Sequence, residues 1–367
     1  YLKVKDNDTL WSTAATSWIR VNAYPILSNY TLSSNSVART STSVISIQVT
    51  DTEDTNSTLT VVAQYRANDG WKTAYLSTLW YDSSDSKWKT NFTPTSSATL
   101  GDYDLRIMVN DTDGASTGWT TYSDVITVTN NVPSLSNYAL SASTLLRNNT
   151  IIIGMNTTDT EDGESSHTVV VQYRTPNAGW TTSYLSTVWY DSSNSRWETN
   201  FTVPTTAPLG TYDVRIMVND TDSGSTGWST YNDIITVTNN NPIFSNYDLS
   251  ASSVLRTNTI VIGINSTDIE DGESTHTIVT QYRATTGGWK TSYLSTVWYD
   301  SSDSRWETNF TPIASAVSGY YDIRIMVNDT DGASTGWSTY SDVIQVITNQ
   351  PTITDYSIED STLLRNQ

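Results

Sequence analysis

The sequence predicts an all-β chain: antiparallel β-sandwiches in tandem, strung into an extended rod. Three observations carry that expectation. The 367 residues repeat themselves with a period close to 109, about the size of one small sandwich domain. Within each repeat, short β-branched runs alternate with clusters of Ser, Asn, Asp and Gly, and no stretch keeps a 3.6-residue apolar period. Aromatic residues make up 11% of the chain, with 14 Trp and 22 Tyr, too many for a polar segment that never buries apolar surface.

The period is read from landmarks. Pro25, Pro133, Pro242 and Pro351 are spaced 108, 109 and 109 residues apart. Trp80, Trp189 and Trp298 keep the interval, as do Asp111, Asp220 and Asp329. Complete repeats are therefore expected over residues 25–132, 133–241 and 242–350. Residues 1–24 match the last quarter of a preceding repeat, with Asn7-Asp8-Thr9 echoing Asn110-Asp111-Thr112. Residues 351–367 match the first strand of a following one, where Ser361-Thr-Leu-Leu-Arg365 echoes Ser143-Thr-Leu-Leu-Arg147. The expectation is a window cut from a longer repetitive polypeptide, or else ends completed by neighbouring subunits. In the second case the strand expected over Thr352–Ile358 would pair into a neighbour's open sheet edge.

The elements of the second repeat follow in order. Thr150–Met155 and Thr168–Arg174 are β-branched runs, the latter ending on Tyr173-Arg174. Thr187–Tyr190 and Arg196–Phe201 flank the turn-rich cluster Asp191–Ser195 and read as a hairpin. Tyr212–Val218 alternates with period two, and Ile234–Val237 does likewise. Seven or so strands at this spacing form two sheets around one core. Leu209-Gly210-Thr-Tyr212 leads into the penultimate strand where such sandwiches place a tyrosine corner, with Tyr103 and Tyr321 as its copies. Trp180, Trp189, Trp197 and Trp228 recur in every repeat. The plain reading is that most of these rings fill or cap the core; the sharper one is a ladder of exposed rings that stack on sugar faces.

The pattern resembles the tandem immunoglobulin-like and fibronectin type III-like repeats of prokaryotic, especially archaeal, cell-surface proteins. Asp159-x-Glu161-Asp162-Gly163, Gln172-Tyr-Arg174, Gly179-Trp180, Leu209-Gly-x-Tyr212-Asp-x-Arg215 and Val218-Asn-Asp-x-Asp222 carry the resemblance. It extends over the whole chain through short motifs. What it implies is tandem immunoglobulin-like antiparallel β-sandwiches in an extended rod, and extracellular stalks, adhesins, surface-layer parts or filaments as the setting.

Composition excludes other classes. With no Cys there is no disulfide framework, thiolate metal site or cysteine nucleophile. Two His leave a histidine-based triad or metal centre without support. A net charge of −19 argues against nucleic acid or an anionic membrane as partner. No apolar run approaches the roughly 20 residues that span a bilayer, and Tyr1 opens no signal peptide. With only 16% charged residues, 50 Ser and 62 Thr do much of the solvating.

The acidic loops are the main candidate site. Asp159, Glu161 and Asp162 follow one inner strand, and Asp220 and Asp222 follow another. In such a sandwich both loops emerge where the chain enters, beside the linker residues Asn130 and Asn131. Calcium takes six to eight hard oxygen ligands, so an ion stiffening the joint is the expectation, resembling the logic of cadherin-type repeats. The copies are Asp51, Glu53, Asp54, Asp111 and Asp113, then Asp268, Glu270, Asp271, Asp329 and Asp331. Against it, Asp, Asn and Gly gather in loops because they suit turns. A glycosidase carboxylate pair lacks the cleft it needs. His167 and His276 are matched by Leu59 in the first repeat, so no shared chemistry depends on them. A Lys–Asn amide staple is excluded as a shared feature, since the second repeat has no Lys. Twelve Asn-x-Ser/Thr sequons occur, little above chance for this composition; Asn91, Asn200 and Asn309, each near a strand end, are the glycan candidates. The function expected is a non-enzymatic extracellular structural segment whose partner is itself, as homopolymer or continuous array. The rival is an adhesin or carbohydrate-binding array using repeated Trp platforms.

Overall fold

A computed structural model describes Lys5, Asn7, Asp8 and residues 21–357. In the first repeat the strands are β1 (Ile26–Leu32), β2 (Ser36–Ala38), β3 (Ser43–Thr50), β4 (Thr60–Arg66), β5 (Trp80–Asp82), β6 (Lys87–Phe92), β7 (Gly101–Asn110) and β8 (Thr120–Thr129). The second repeat runs β9 (Ser134–Leu140), β10 (Thr144–Leu146), β11 (Thr150–Thr158), β12 (Thr168–Arg174), β13 (Trp189–Asp191), β14 (Arg196–Thr202), β15 (Gly210–Asn219) and β16 (Ser229–Thr238). The third runs β17 (Ile243–Leu249), β18 (Ser253–Leu255), β19 (Ile260–Thr267), β20 (Thr277–Ala284), β21 (Trp298–Asp300), β22 (Arg305–Phe310), β23 (Gly319–Asn328) and β24 (Ser338–Ile347). The helical content of the described residues is two single turns, Glu164–Ser166 and Glu273–Thr275.

Each repeat makes two four-stranded sheets, in the first β1-β3-β6-β5 and β2-β8-β7-β4, and the other repeats copy that order. The sandwiches are antiparallel as expected, with one short parallel pair in each repeat. The first strand of each repeat breaks in two, and its second part crosses to the other sheet and runs parallel to the last strand. Eight strands result rather than seven. The break lets one segment close an edge of both sheets, which leaves fewer unpaired backbone groups.

The core lies between the sheets and is built from alternate residues of the central strands. In the second repeat Ile151, Ile153, Met155, Val214, Ile216 and Val218 are buried, and Phe201 packs edge-on against Tyr173. Tyr173 stacks on Tyr184 with ring centroids 4.9 Å apart. The tyrosine corner forms in every copy. The hydroxyls of Tyr103, Tyr212 and Tyr321 each donate 2.8 Å to a carbonyl four residues upstream, those of Thr99, Pro208 and Val317. Gly210, two residues before Tyr212, has φ +117°, and its copies Gly101 and Gly319 are also positive; a side chain would be strained there.

The Trp rings depart from the plain expectation, because one of the four per repeat caps the core. Trp88, Trp197 and Trp306 pack against it and donate Nε1–H to the carbonyls of Asn56, Glu164 and Glu273. Trp80, Trp189 and Trp298 stand on the short edge strands. The other two rings of each repeat stack on arginines. Arg174 and Arg215 lie over Trp180 at 4.5 and 4.6 Å, and Arg215 also lies 4.0 Å from the ring of Trp228. The rings of Tyr173, Phe201 and Tyr212, with the β-branched side chains around them, already fill the space between the sheets, so these indoles find partners outside it.

The strand expected over Thr352–Ile358 is not formed in its described part, Thr352–Ser357. A strand needs a hydrogen-bonding neighbour, and none is present there among the described residues. Ile358–Gln367, and most of the segment expected to end a preceding repeat, lie outside the described residues.

Candidate functional site: the joints between repeats

The acidic loops are shaped first by their own backbone. Asp159 Oδ1 accepts the N–H groups of Glu161 and Asp162, at 2.7 and 3.2 Å, an Asx turn of the kind these residues favour. Asp162 then accepts the N–H and hydroxyl of Thr221, tying the loop after β11 to the loop after β15. Asp220 Oδ1 accepts the N–H groups of Asp222 and Gly224. The same links recur through Asp54 and Thr112, and through Asp271 and Thr330.

The linker completes the site. Asn130 Nδ2 donates to Asp220 Oδ2 at 2.6 Å, and Asn131 donates both its N–H and its amide to Glu161 Oε1 at 2.9 Å. Asn239 and Asn240 repeat this on Asp329 and Glu270. In the first repeat Asn22 donates to Asp111, but Glu53 is exposed and accepts from the Ala23 N–H at 3.4 Å and the neighbouring Thr52 hydroxyl at 3.0 Å.

Two arginines close the joints. Arg39, 8% exposed, donates Nε–H to the carbonyl of Ala98 in its own repeat and Nη1–H to Asp222 Oδ2 in the next, at 2.7 and 2.5 Å. Arg147 does the same with Ala207 and Asp331. The carbonyls of these arginines in turn accept from Asn131 and Asn240. The arginines were not among the candidates read from the sequence. Their signal was present, as Arg39, Arg147 and Arg256 occupy one position of the repeat, but a lone basic residue in a strand-rich stretch does not reveal which acid it will meet.

Of the five carboxylates at each full joint, three are thus engaged by protein donors: Asp162, Asp220 and Asp222 in the second repeat. Two are half used. Asp159 Oδ2 and Glu161 Oε2 are buried and meet no donor, and neither do Asp268 Oδ2 and Glu270 Oε2. Burial pushes the Glu161 carboxyl up, and the neighbouring Asp159 adds to the effect against the Asn131 donors. Burial also acts to raise Asp159, but the N–H groups of Glu161 and Asp162 hold it below the usual value. His167 and His276 are buried nearby, each with Nδ1 2.7 Å from a hydroxyl, of Thr157 and Ser266. Asn91, Asn200 and Asn309 sit within β6, β14 and β22, half-buried between inward-facing neighbours, so their own positions face outward.

Fold and site define a class: immunoglobulin-like β-sandwiches in tandem, joined by polar locks. No known protein family and no curated protein matches the chain. Among solved structures it is similar to the titin domains Z1Z2 in complex with telethonin, at 14% identity over 60% of this chain and all of that one, TM-score 0.33. It is also similar to the Escherichia coli adhesin FdeC, at 12% identity over 89% of this chain and all of that one, TM-score 0.27. Fibronectin(III)-like modules of Clostridium thermocellum CbhA match at 16% identity over 57% of this chain and 95% of theirs, TM-score 0.21. Scores this low carry no functional weight.

Proposed function

We propose that this chain is a structural segment of an extracellular array, a filament, stalk or surface layer, in which sandwich repeats are locked end to end. The observation that supports this most is the joint itself. Two successive joints use the same arginine, the same asparagines and the same carboxylates, so the polar groups of the linker are committed to holding neighbours in one geometry. A chain of independent binding modules has no need of that. The composition, with two His and no Cys, favours a non-enzymatic role. The self-partner reading, continuous array or homopolymer, is decided by the mass of the native polypeptide: subunits near 40.6 kDa favour assembly, and one much longer polypeptide favours a continuous array. Gold-labelled antibody against the chain should decorate intact cells; label confined to permeabilised cells would sink the proposal.

The carbohydrate-binding alternative is less well supported, since Trp71, Trp180 and Trp289 are each covered by two guanidinium groups. Two further readings belong to the array. Glycans on Asn91, Asn200 and Asn309 suit their outward positions, and glycopeptide mass spectrometry of native material tests them. A calcium ion at the second and third repeats' acidic loops would satisfy the bare buried oxygens of Asp159, Glu161, Asp268 and Glu270, the chemistry such an ion prefers. Chelation should then lower the melting temperature, and an unchanged value removes calcium from the joints.

A further inference from the structure

Each repeat leaves one indole and one sequon amide without a partner among the described residues, and both stand on one sheet. Three of the four Trp rings per repeat are engaged. Trp88, Trp197 and Trp306 pack on the core, and two others lie against Arg106, Arg215 or Arg324. The indoles of Trp80, Trp189 and Trp298 make no hydrogen bond, ring stack or cation contact among the described residues, and Trp80 and Trp298 are 38% and 37% exposed. The backbone N–H groups of Asn91, Asn200 and Asn309 donate to the hydroxyls of Ser77, Ser186 and Ser295, at 2.9, 3.0 and 2.9 Å. Their side-chain amides meet no such partner. Asn156, in a sequon on the neighbouring strand, differs, since its amide donates to the Ser195 carbonyl at 2.9 Å.

Register places the two groups side by side. Ile45 and Ile47 are core residues that pair with Thr90 and Trp88, so Lys89 and Asn91, the alternate residues of β6, face outward. Trp80 pairs with Lys89 and shares its face. Asn91 lies two residues further along β6, a diagonal neighbour of Trp80 with Cβ atoms about 7 Å apart. In the same way Trp189 pairs with Glu198 beside Asn200, and Trp298 with Glu307 beside Asn309. The strands that carry these rings, β5, β13 and β21, are the outermost of their sheets.

We propose that the first sugar of an N-linked glycan on Asn91, Asn200 and Asn309 lies against the indole of Trp80, Trp189 and Trp298 respectively. This rests on the glycan reading above, in which the amide nitrogen takes the sugar's anomeric carbon from a phosphate-linked carrier and loses one proton, the transfer being made by another protein. A pyranose presents C–H groups on one face and hydroxyls at its rim. An indole presents an apolar face and an N–H at its edge, so stacking covers the ring and gives Nε1–H an acceptor. The glycan is then laid across the outer strand instead of standing free. An edge covered in this way is shielded from pairing with another chain.

Radical footprinting read residue by residue by mass spectrometry tests this on protein purified from its native source. Oxidation of Trp189 should rise about threefold in Asn200→Gln as the ring is uncovered, with Trp80, Trp298 and Trp228 unchanged. Thr202→Ala, which removes the sequon and keeps Asn200, should give the same rise. Thr202→Ser, which keeps the sequon, should not. Glycopeptide mapping of the same samples separates this proposal from the reading beneath it. Asn200 glycosylated, with Trp189 equally oxidised in wild type and Asn200→Gln, overturns the stacking and leaves the glycan reading standing. Asn91, Asn200 and Asn309 all unmodified overturns both.

Discussion

At the scale of single residues, recurrent positions do specific work that their type explains. Asp213 accepts from Arg174 on one oxygen and from the N–H of Asp233, a residue at φ +53°, on the other. It thereby holds both a cation and a bulge. Tyr212 does two jobs, filling the core with its ring and closing the corner with its hydroxyl. Burial pushes its phenol up to about 12, and Tyr65 shows the same, with burial the main cause. In the unfolded chain a tyrosine ionises near 10. The unfolded state therefore loses protons first, so this stabilisation is intact below about pH 10 and is lost as pH rises through about 12. Melting temperature should fall across that window; a melting temperature unchanged between about pH 10 and 12 would contradict it. Tyr212→Phe removes the corner bond and should cost the second repeat about 1–2 kcal/mol, read by hydrogen exchange in β15 and β16.

At the scale of the element, the outer face of the β12–β15 pair carries a ladder. Gln172 accepts from Arg215 Nε at 2.9 Å, and Arg215 lies between Trp180 and Trp228. Arg174 continues the stack over Trp180 and pairs with Asp213. The planar guanidinium is what makes this possible, since it stacks on rings while donating in its plane. Arg215→Lys keeps the charge but loses the plane. It should destabilise the repeat by roughly 1–2 kcal/mol and collapse the Trp signals in near-UV circular dichroism. A variant with wild-type near-UV bands would mean that the rings are ordered by something else. The motifs Gln172-Tyr-Arg174 and Tyr212-Asp-x-Arg215 were legible as motifs, but not as a ladder. The sequence places these residues on strands, whereas the facing of one strand by another is settled by register.

At the scale of the whole molecule, the joints decide how repeats relate. Arg147 is a buried donor whose acceptor, Asp331, lies 184 residues away. Its charge-assisted bond should contribute about 1.5–3 kcal/mol to the coupling of the second and third repeats. Arg147→Ala should leave each sandwich folded and broaden the distribution of inter-repeat orientations seen by small-angle scattering and residual dipolar couplings. Unchanged couplings would show that the asparagines alone hold the joint. Asn240 and Glu270 are the fallback contact, so the double variant Arg147→Ala, Glu270→Gln should loosen it further.

The sequence by itself determined the period of the repeats, the β class and the tyrosine corners. These follow from period-two alternation, turn residues and fixed spacing, which are local properties of the chain. It also brought the acidic loops to notice as a group. Only the tertiary structure decided which carboxylates are satisfied, because that depends on donors far away in sequence: Arg39 for Asp222, Asn131 for Glu161, Thr221 for Asp162. It decided likewise that Trp180 and Trp228 belong to arginines rather than to the core, and that the first strand splits between two sheets. The period alone aligned the copies and their differences, such as Leu59 against His167 and His276, whereas what surrounds each such residue depended on strand register and the meeting of distant loops.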